Sequence, residues 1–176
     1  MSKILFIVGS LRADSLNAKL AQNLAKLVDG ETDFAGVDLP IMNADIYKDA
    51  PASVNELREK ISAADGVVIV SPEYNRSIAG GTKNMLDWTT WMWGGNVWKD
   101  KKVAITGASS GQLGTALAQY ETQKILEFVG AKVMHQPEFM LSFAAKQFDK
   151  NGEFVAAEVY FAKGYMDMFA KFVDEK

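Results

Sequence analysis

Ser10, Arg12, Ser15 and Asn17 lie in one short polar segment, GSLRADSLN (Gly9–Asn17), directly after an apolar run. Two hydroxyls, an amide and a forked, permanently charged guanidinium just ahead of a helix are the parts of a phosphate grip. Gly9 permits a sharp exit from the preceding strand. The free N–H groups of the helix that starts near Ser15 point back toward the same spot, and such termini attract anions because their donors are unpaired and the dipole is positive there. The same residues also describe a plain capped helix, with Ser15 as N-cap and Arg12 in solvent. This segment alone leaves both readings open.

Two further segments are as distinctive. SPEYNRSIAGG (Ser71–Gly81) follows the most apolar run of the chain. Pro72 ends that strand by fixing its own φ and forcing its neighbour extended. Tyr74, Asn75 and Ser77 then present a polar surface, and Gly80-Gly81 are expected to let the backbone approach a flat, hydrogen-bonding heterocycle. A turn that is merely Pro- and Gly-rich is the alternative. TGASSGQLG (Thr106–Gly114) resembles the glycine loop of short-chain dehydrogenases, and Tyr120 with Lys124 supplies a Y-x-x-x-K pair. The spacing defeats that reading: the loop follows the fourth strand, position 113 is Leu, and Tyr120 sits on the helix the loop opens. Tyr120 and Lys124 are read as a helical coincidence. Ser109, Ser110 and Gly111 remain as N–H groups facing a ligand.

The elements that position these segments follow from periodicity. Lys3–Val8 reads as a strand covered on both faces. Leu16, Leu20, Leu24 and Leu27 recur at helical spacing up to Asp29-Gly30. Thr32–Leu39 is a weaker strand, and Pro40 to Ser53 an irregular connection. Val54, Leu57 and Ile61 carry a second helix, Val67–Val70 a third strand, and Thr82–Trp93 a helix. Lys102–Thr106, the helix Leu113–Val129 and a fifth strand Ala131–Met134 complete the βα series. FDKNGEF (Phe148–Phe154) has turn chemistry. The last helix carries Val159, Ala162, Met166, Phe169 and Val173 along one stripe and Phe161, Tyr165, Met168 and Phe172 along a second. Strands alternating with helices predict an α/β fold: a doubly wound, five-stranded parallel sheet with helices on both faces. The usual order for five such units, taken from fold statistics, is 2-1-3-4-5, with ligands at the carboxyl ends of the strands. Residues 1–176 read as a single domain.

Composition narrows the function. The chain is 48% hydrophobic and 23% charged with net charge −3, so neither nucleic acid nor an anionic membrane is the expected partner. It has no cysteine and one histidine, His135, which leaves almost no material for disulfides, thiolate metal sites or Ser-His triads. His135 reads as a structural or surface residue. MSKILFIVGSLR is too short an apolar start for a signal peptide, so the protein is expected in the cytoplasm. By elimination, chemistry here is expected to come from a bound cofactor or from nothing at all. An anion grip after strand one and two backbone-rich loops after strands three and four would together hold a flavin mononucleotide.

GSLRADSLN, SPEYNRSIAGGTKNMLDW and GASSG together resemble the NAD(P)H-dependent FMN reductases of flavodoxin-like fold, a family that includes quinone, azo-dye and chromate reductases. The resemblance runs along nearly the whole chain. It implies that Ser10, Arg12, Ser15, Leu16 and Asn17 surround the FMN phosphate. Pro72, Glu73, Tyr74 and Asn75 would line the isoalloxazine ring, largely through backbone groups. Ser109, Ser110 and Gly111 would lie near its pyrimidine side or the ribityl chain. It further implies bound FMN that takes hydride from NAD(P)H as co-substrate and passes electrons to a small-molecule acceptor, by a ping-pong mechanism on one open ring face. Quinones, azo compounds, metal oxyanions and flavins are the implied acceptors; no catalytic side chain is required.

The chain departs from the family pattern at Arg76, where relatives often carry an aromatic or apolar residue, and at Ala79, where they often carry proline. Arg76 reads first as half of a surface ion pair, with a pyridine-nucleotide phosphate or an acidic acceptor as alternatives. Trp88, Trp91, Trp93 and Trp98, with Met85 and Met92, form a dense cluster that suits a core or an oligomer surface. A homodimer or homotetramer is expected from the resemblance, using that helix and the second stripe of the last one. Competing functions are a flavodoxin-type electron carrier and a binding module with an altered site.

Overall fold

The computed structural model describes residues 2–90 and 95–175. In chain order the elements are β1 (Lys3–Val8), α1 (Leu16–Ala25), β2 (Glu31–Gly36), α2 (Ala52–Ala63), β3 (Gly66–Val70), the short strands β4 (Glu73–Tyr74) and β5 (Ser77–Ile78), and α3 (Gly80–Thr90). There follow β6 (Lys102–Ala108), α4 (Ala116–Phe128), the short strands β7 (Lys132–Val133) and β8 (Met140–Leu141), and α5 (Ala156–Asp174).

The main sheet is parallel in the order β2-β1-β3-β6-β7, with β8 also paired to β6. Counted by sheet position this is the expected 2-1-3-4-5. Its inner strands β1 and β3 are apolar along almost their whole length because alternate residues enter different cores, whereas the edge strand β2 (ETDFAG) is half polar. Ile4, Phe6, Val68 and Val70 pack with Leu20, Leu24, Met166 and Phe169, on the side of α1 and α5. Leu5, Ile7, Val67 and Ile69 pack with Leu57, Ile61, Met85, Leu86 and Leu126, on the side of α2, α3 and α4. Register carries the strands to a common edge: Val8 lies opposite Val70, and Val70 opposite Thr106. Gly9 N–H to Val70 O (2.8 Å) and Ser71 N–H to Thr106 O (3.0 Å) extend the ladder into the loops. Among the described residues no helix is long and apolar enough to cross a membrane.

Several expectations are corrected. The second strand is Glu31–Gly36, and Val37 leaves the sheet to pack under α3. The fifth strand is not one piece from Ala131 to Met134 but two, β7 and β8, separated by residues 134–139. α4 begins at Ala116 because Gly114 (φ 54°) and Thr115 (φ 71°) are left-handed and break any earlier turn. Phe148 and Phe154 close the expected turn with an antiparallel bridge and stacked rings. Trp88 and Trp98 are fully buried, with their indole N–H groups donated to Pro40 O (2.7 Å) and Thr89 Oγ1 (2.8 Å). Neither offers an oligomer surface, and Met85 is buried as well. Trp91, Met92 and Trp93 lie outside the described residues. On α5 the main stripe is Ala162, Tyr165, Met166 and Phe169; Val159 is exposed, as are Phe161 and Met168 of the second stripe.

Candidate functional site

The loop after β1 leaves a cluster of backbone donors unspent. From Ser10 to Asn17 only the Arg12 N–H has an acceptor among the described residues, a long 3.4 Å contact to Ser10 Oγ. Ser15 caps α1 in an extended conformation (φ −97°, ψ 123°), its Oγ accepting from Ala18 N–H at 3.2 Å. The two readings of Ser15 are therefore compatible: the oxygen caps the helix while the O–H remains free to donate into the cleft. Arg12 is exposed and makes no hydrogen bond from its guanidinium and no ion pair among the described residues. Asp14, the one acid in the loop, is paired with Lys19, whose hydrogen bond and charge hold its carboxyl below the usual range.

Asn17 plays a different part from the one expected. Its amide forms a reciprocal pair with the backbone of Ala108, Nδ2 to O at 3.1 Å and N–H to Oδ1 at 2.9 Å. The side chain thus clamps the first loop to the end of β6. Loop three is tied down from behind by a strap after β8. Ser109 N–H donates to Leu141 O (3.0 Å), Ala144 N–H to Ser109 O (2.9 Å) and Phe143 N–H to Gly111 O (3.0 Å). Gly111 N–H is spent on Ser109 Oγ at 3.0 Å. Of the three N–H groups expected to face a ligand, only that of Ser110 has no acceptor among the described residues.

The second loop is more than a proline-glycine turn. Glu73–Tyr74 and Ser77–Ile78 pair antiparallel, and Asn75 (φ 53°) and Arg76 (φ 65°) form a two-residue turn with both residues left-handed. That is the type I′ geometry whose twist suits hairpins and which ordinarily takes glycine second. Arginine there costs about 1 kcal/mol or more relative to glycine. Two carboxylates fix the hairpin. Glu121 accepts from Ser77 Oγ (2.6 Å) and Ile78 N–H (2.9 Å), bonds that lower its pKa. Glu73 accepts from Leu117 N–H (2.9 Å) and Ala118 N–H (3.2 Å), the first turn of α4. Sequence reasoning missed this hairpin because its turn lacks the glycine that marks one.

Neither Gly80 nor Gly81 is among the residues that line the hollows at this edge of the sheet. Gly80 opens α3 into empty space, and a Cβ on Gly81 would meet Val37 Cγ2 at 2.9 Å, so this glycine serves helix-to-strand packing. The glycines that bring the loops together are Gly9 and Gly107. A Cβ on Gly9 would lie 2.3 Å from Thr82 Oγ1, and one on Gly107 2.2 Å from both Ser71 O and Thr115 Oγ1.

The result is a cleft of about 130 Å³ walled by Ser10, Arg12, Ser15, Leu16, Asn17, Pro72, Glu73, Tyr74, Ala108, Ser109 and Ser110. A shallower crevice of about 420 Å³ adjoins it, sharing Glu73 and Ser109 and adding Asn75, Arg76, Gly111, Gln112 and Leu113. Every residue that the family resemblance assigns to FMN lines one or the other. A larger hollow of about 720 Å³, between α5 and residues 137–140, has no comparable set of unpaired donors. Arg76 finds no ion-pair partner among the described residues, contrary to the surface-pair expectation. His135 sits on the surface between Gln123 and Glu127. Tyr120 pairs with Glu138, which raises its phenol above the usual value.

A doubly wound parallel sheet with a cleft at the carboxyl ends of its first, third and fourth strands is a flavodoxin-like fold. Residues 2–146 match the model of the NADPH-dependent FMN reductases, and the chain belongs to that family. It is 38% identical to a 2-hydroxy-1,4-benzoquinone reductase of Burkholderia sp, over 99% of this chain and 97% of that protein. It is 39% identical to a quinone reductase of Escherichia coli K12, over 78% of this chain and 76% of that one. Among solved structures it is similar to FerB, a flavoenzyme NAD(P)H:(acceptor) oxidoreductase from Paracoccus denitrificans. The two superpose with a TM-score of 0.90 at 38% identity, covering 99% of this chain and 98% of that one.

Proposed function

We propose that this chain is an FMN-dependent NAD(P)H:quinone oxidoreductase in which residues 1–176 form one cofactor-binding domain. The observation that carries the reading is the run of N–H groups from Ser10 to Asn17 that, Arg12 apart, have no acceptor among the described residues, beside an Arg12 guanidinium and a Ser15 O–H that donate to none of those residues. Such a donor set fits the oxygens of a phosphate group. When bound, FMN supplies two-electron transfer between NAD(P)H and the acceptor.

The chain's own residues bind and orient. Ser10, Arg12, Ser15, Leu16 and Asn17 form the phosphate end, with Asn17 acting through its clamp on Ala108. Pro72, Glu73, Tyr74 and Asn75 form one wall for the ring; Ser109, Ser110 and Gly111 form the other, where the Ser110 N–H is the available donor. The Ser110 N–H would give bound FMN a fixed hydrogen-bond donor, and such a donor favours negative charge beside it. The adjoining crevice leaves one side open, and a single open face visited by two substrates in turn predicts ping-pong kinetics. Quinone as acceptor is supported by the two quinone reductases named above. The cytoplasmic location and the homodimer or homotetramer inferred from the resemblance belong to this proposal. Exposed Tyr160, Phe161 and Met168 on α5 support the oligomer.

Protein loaded with FMN, mixed with NADPH and benzoquinone, is expected to consume NADPH far above the protein-free rate, with parallel double-reciprocal lines. FMN binding without NADPH consumption would contradict the enzyme reading and leave a flavodoxin-type carrier. Ser15 separates its two roles cleanly. Ser15→Ala should cost about 1 kcal/mol of stability through the lost cap. Ser15→Asp keeps a good cap, so its Tm should hold while like-charge repulsion weakens FMN binding roughly tenfold or more. Calorimetry and an FMN titration on both variants check this.

A further inference from the structure

Arg76 is an arginine where the backbone favours glycine and where its side chain has no ion pair among the described residues. It occupies the second left-handed position of the hairpin turn (φ 65°) and is exposed. A non-glycine residue held in that conformation without a structural return points to a functional one. Arg76 lines the crevice beside the cleft, together with the uncharged residues Asn75 and Gln112. The crevice also has one acid, Glu73, but that carboxylate is already committed to the N–H groups of Leu117 and Ala118. The hairpin is held from its far strand by Glu121, which anchors the backbone that carries Arg76.

We propose that Arg76 is a specificity residue that binds the anionic group of the substrate docking beside the cleft. This rests on the oxidoreductase reading and deepens it. The anion is either a charged substituent on the electron acceptor or the 2′-phosphate of NADPH; both present oxygens that a guanidinium fork engages.

The test compares wild type with Arg76→Gln and Arg76→Gly, all loaded with FMN. Acceptors are benzoquinone and a naphthoquinone sulfonate; donors are NADH and NADPH. The expected result is a roughly tenfold rise in KM for one anionic member, the sulfonate or NADPH, with its uncharged or less charged counterpart unchanged. The member affected names the source of the anion. FMN retention should not move. Arg76→Gly should show the same kinetic loss with an equal or higher Tm, because glycine suits the turn, and this separates binding from a structural role. Calorimetric binding of the sulfonate and of NADP+ reads the same charge without turnover, so an inactive wild type would refute the oxidoreductase reading and still leave Arg76 tested. Equal KM values and equal binding across all three proteins would overturn the proposal, as would uniform losses on every substrate.

Discussion

Arg12→Ala should lose FMN affinity roughly 5- to 150-fold, about 1–3 kcal/mol, while Arg76→Ala leaves it unchanged. The contrast follows from position. Arg12 borders the cleft where the unpaired N–H groups of the first loop converge, whereas Arg76 lines only the crevice beside it. A charged, forked donor adds its contacts to donors that the backbone already aims, so its loss is felt without any refolding of the loop. Arg12→Lys should fall between, since it keeps the charge and loses the fork. An FMN titration at fixed ionic strength reads all three variants. Equal affinity in Arg12→Ala would move the grip elsewhere.

Gly107→Ala should damage stability and cofactor binding together. The added methyl would sit 2.2 Å from Ser71 O, a backbone atom at the end of β3, and 2.2 Å from Thr115 Oγ1. Ser71 is held by its own hydrogen bond to Thr106, and Thr115 is buried with a left-handed backbone that leaves it little freedom. Overpacking of this kind costs about 1–3 kcal/mol, or a Tm lower by roughly 2–10 °C for a chain of this size. The strain falls where the second and third loops meet, so FMN affinity should drop as well. Gly36→Ala is the control: a Cβ there meets nothing within 4 Å and its φ is ordinary, so Tm should stay within a degree or two. Unchanged Tm and FMN binding in Gly107→Ala would mean the loops are not packed as described.

Local pattern was a good guide wherever structure is local. Lys3–Val8 is a strand with those bounds because a continuous apolar run suits burial on both faces, and Ser15 announces α1 by its own chemistry. The convergence of three loops follows from parallel topology, which puts every strand's carboxyl end on one edge. What escaped was long-range pairing. Nothing near Asn17 in sequence says that its amide will meet Ala108, nor that Leu141 and Phe143 will claim groups of Ser109 and Gly111. The hairpin at Glu73–Ile78 was hidden by arginine in place of glycine. The two-residue β8 is too short for periodicity to register, whereas β7 falls inside the expected fifth strand Ala131–Met134. Trp88 and Trp98 show a further limit: aromatic spacing on a helix is the same for a core as for an interface, and only burial tells them apart.

The central claim is that the edge formed by the first, third and fourth sheet strands holds FMN in a state that NADPH can reduce. The most direct measurement is an FMN titration of the purified protein followed by its visible spectrum, before and after NADPH is added without air. The account predicts stoichiometric uptake, a yellow protein, and bleaching on NADPH that quinone reverses. Folded protein that takes up no FMN, or bound flavin that stays yellow under NADPH, would contradict it.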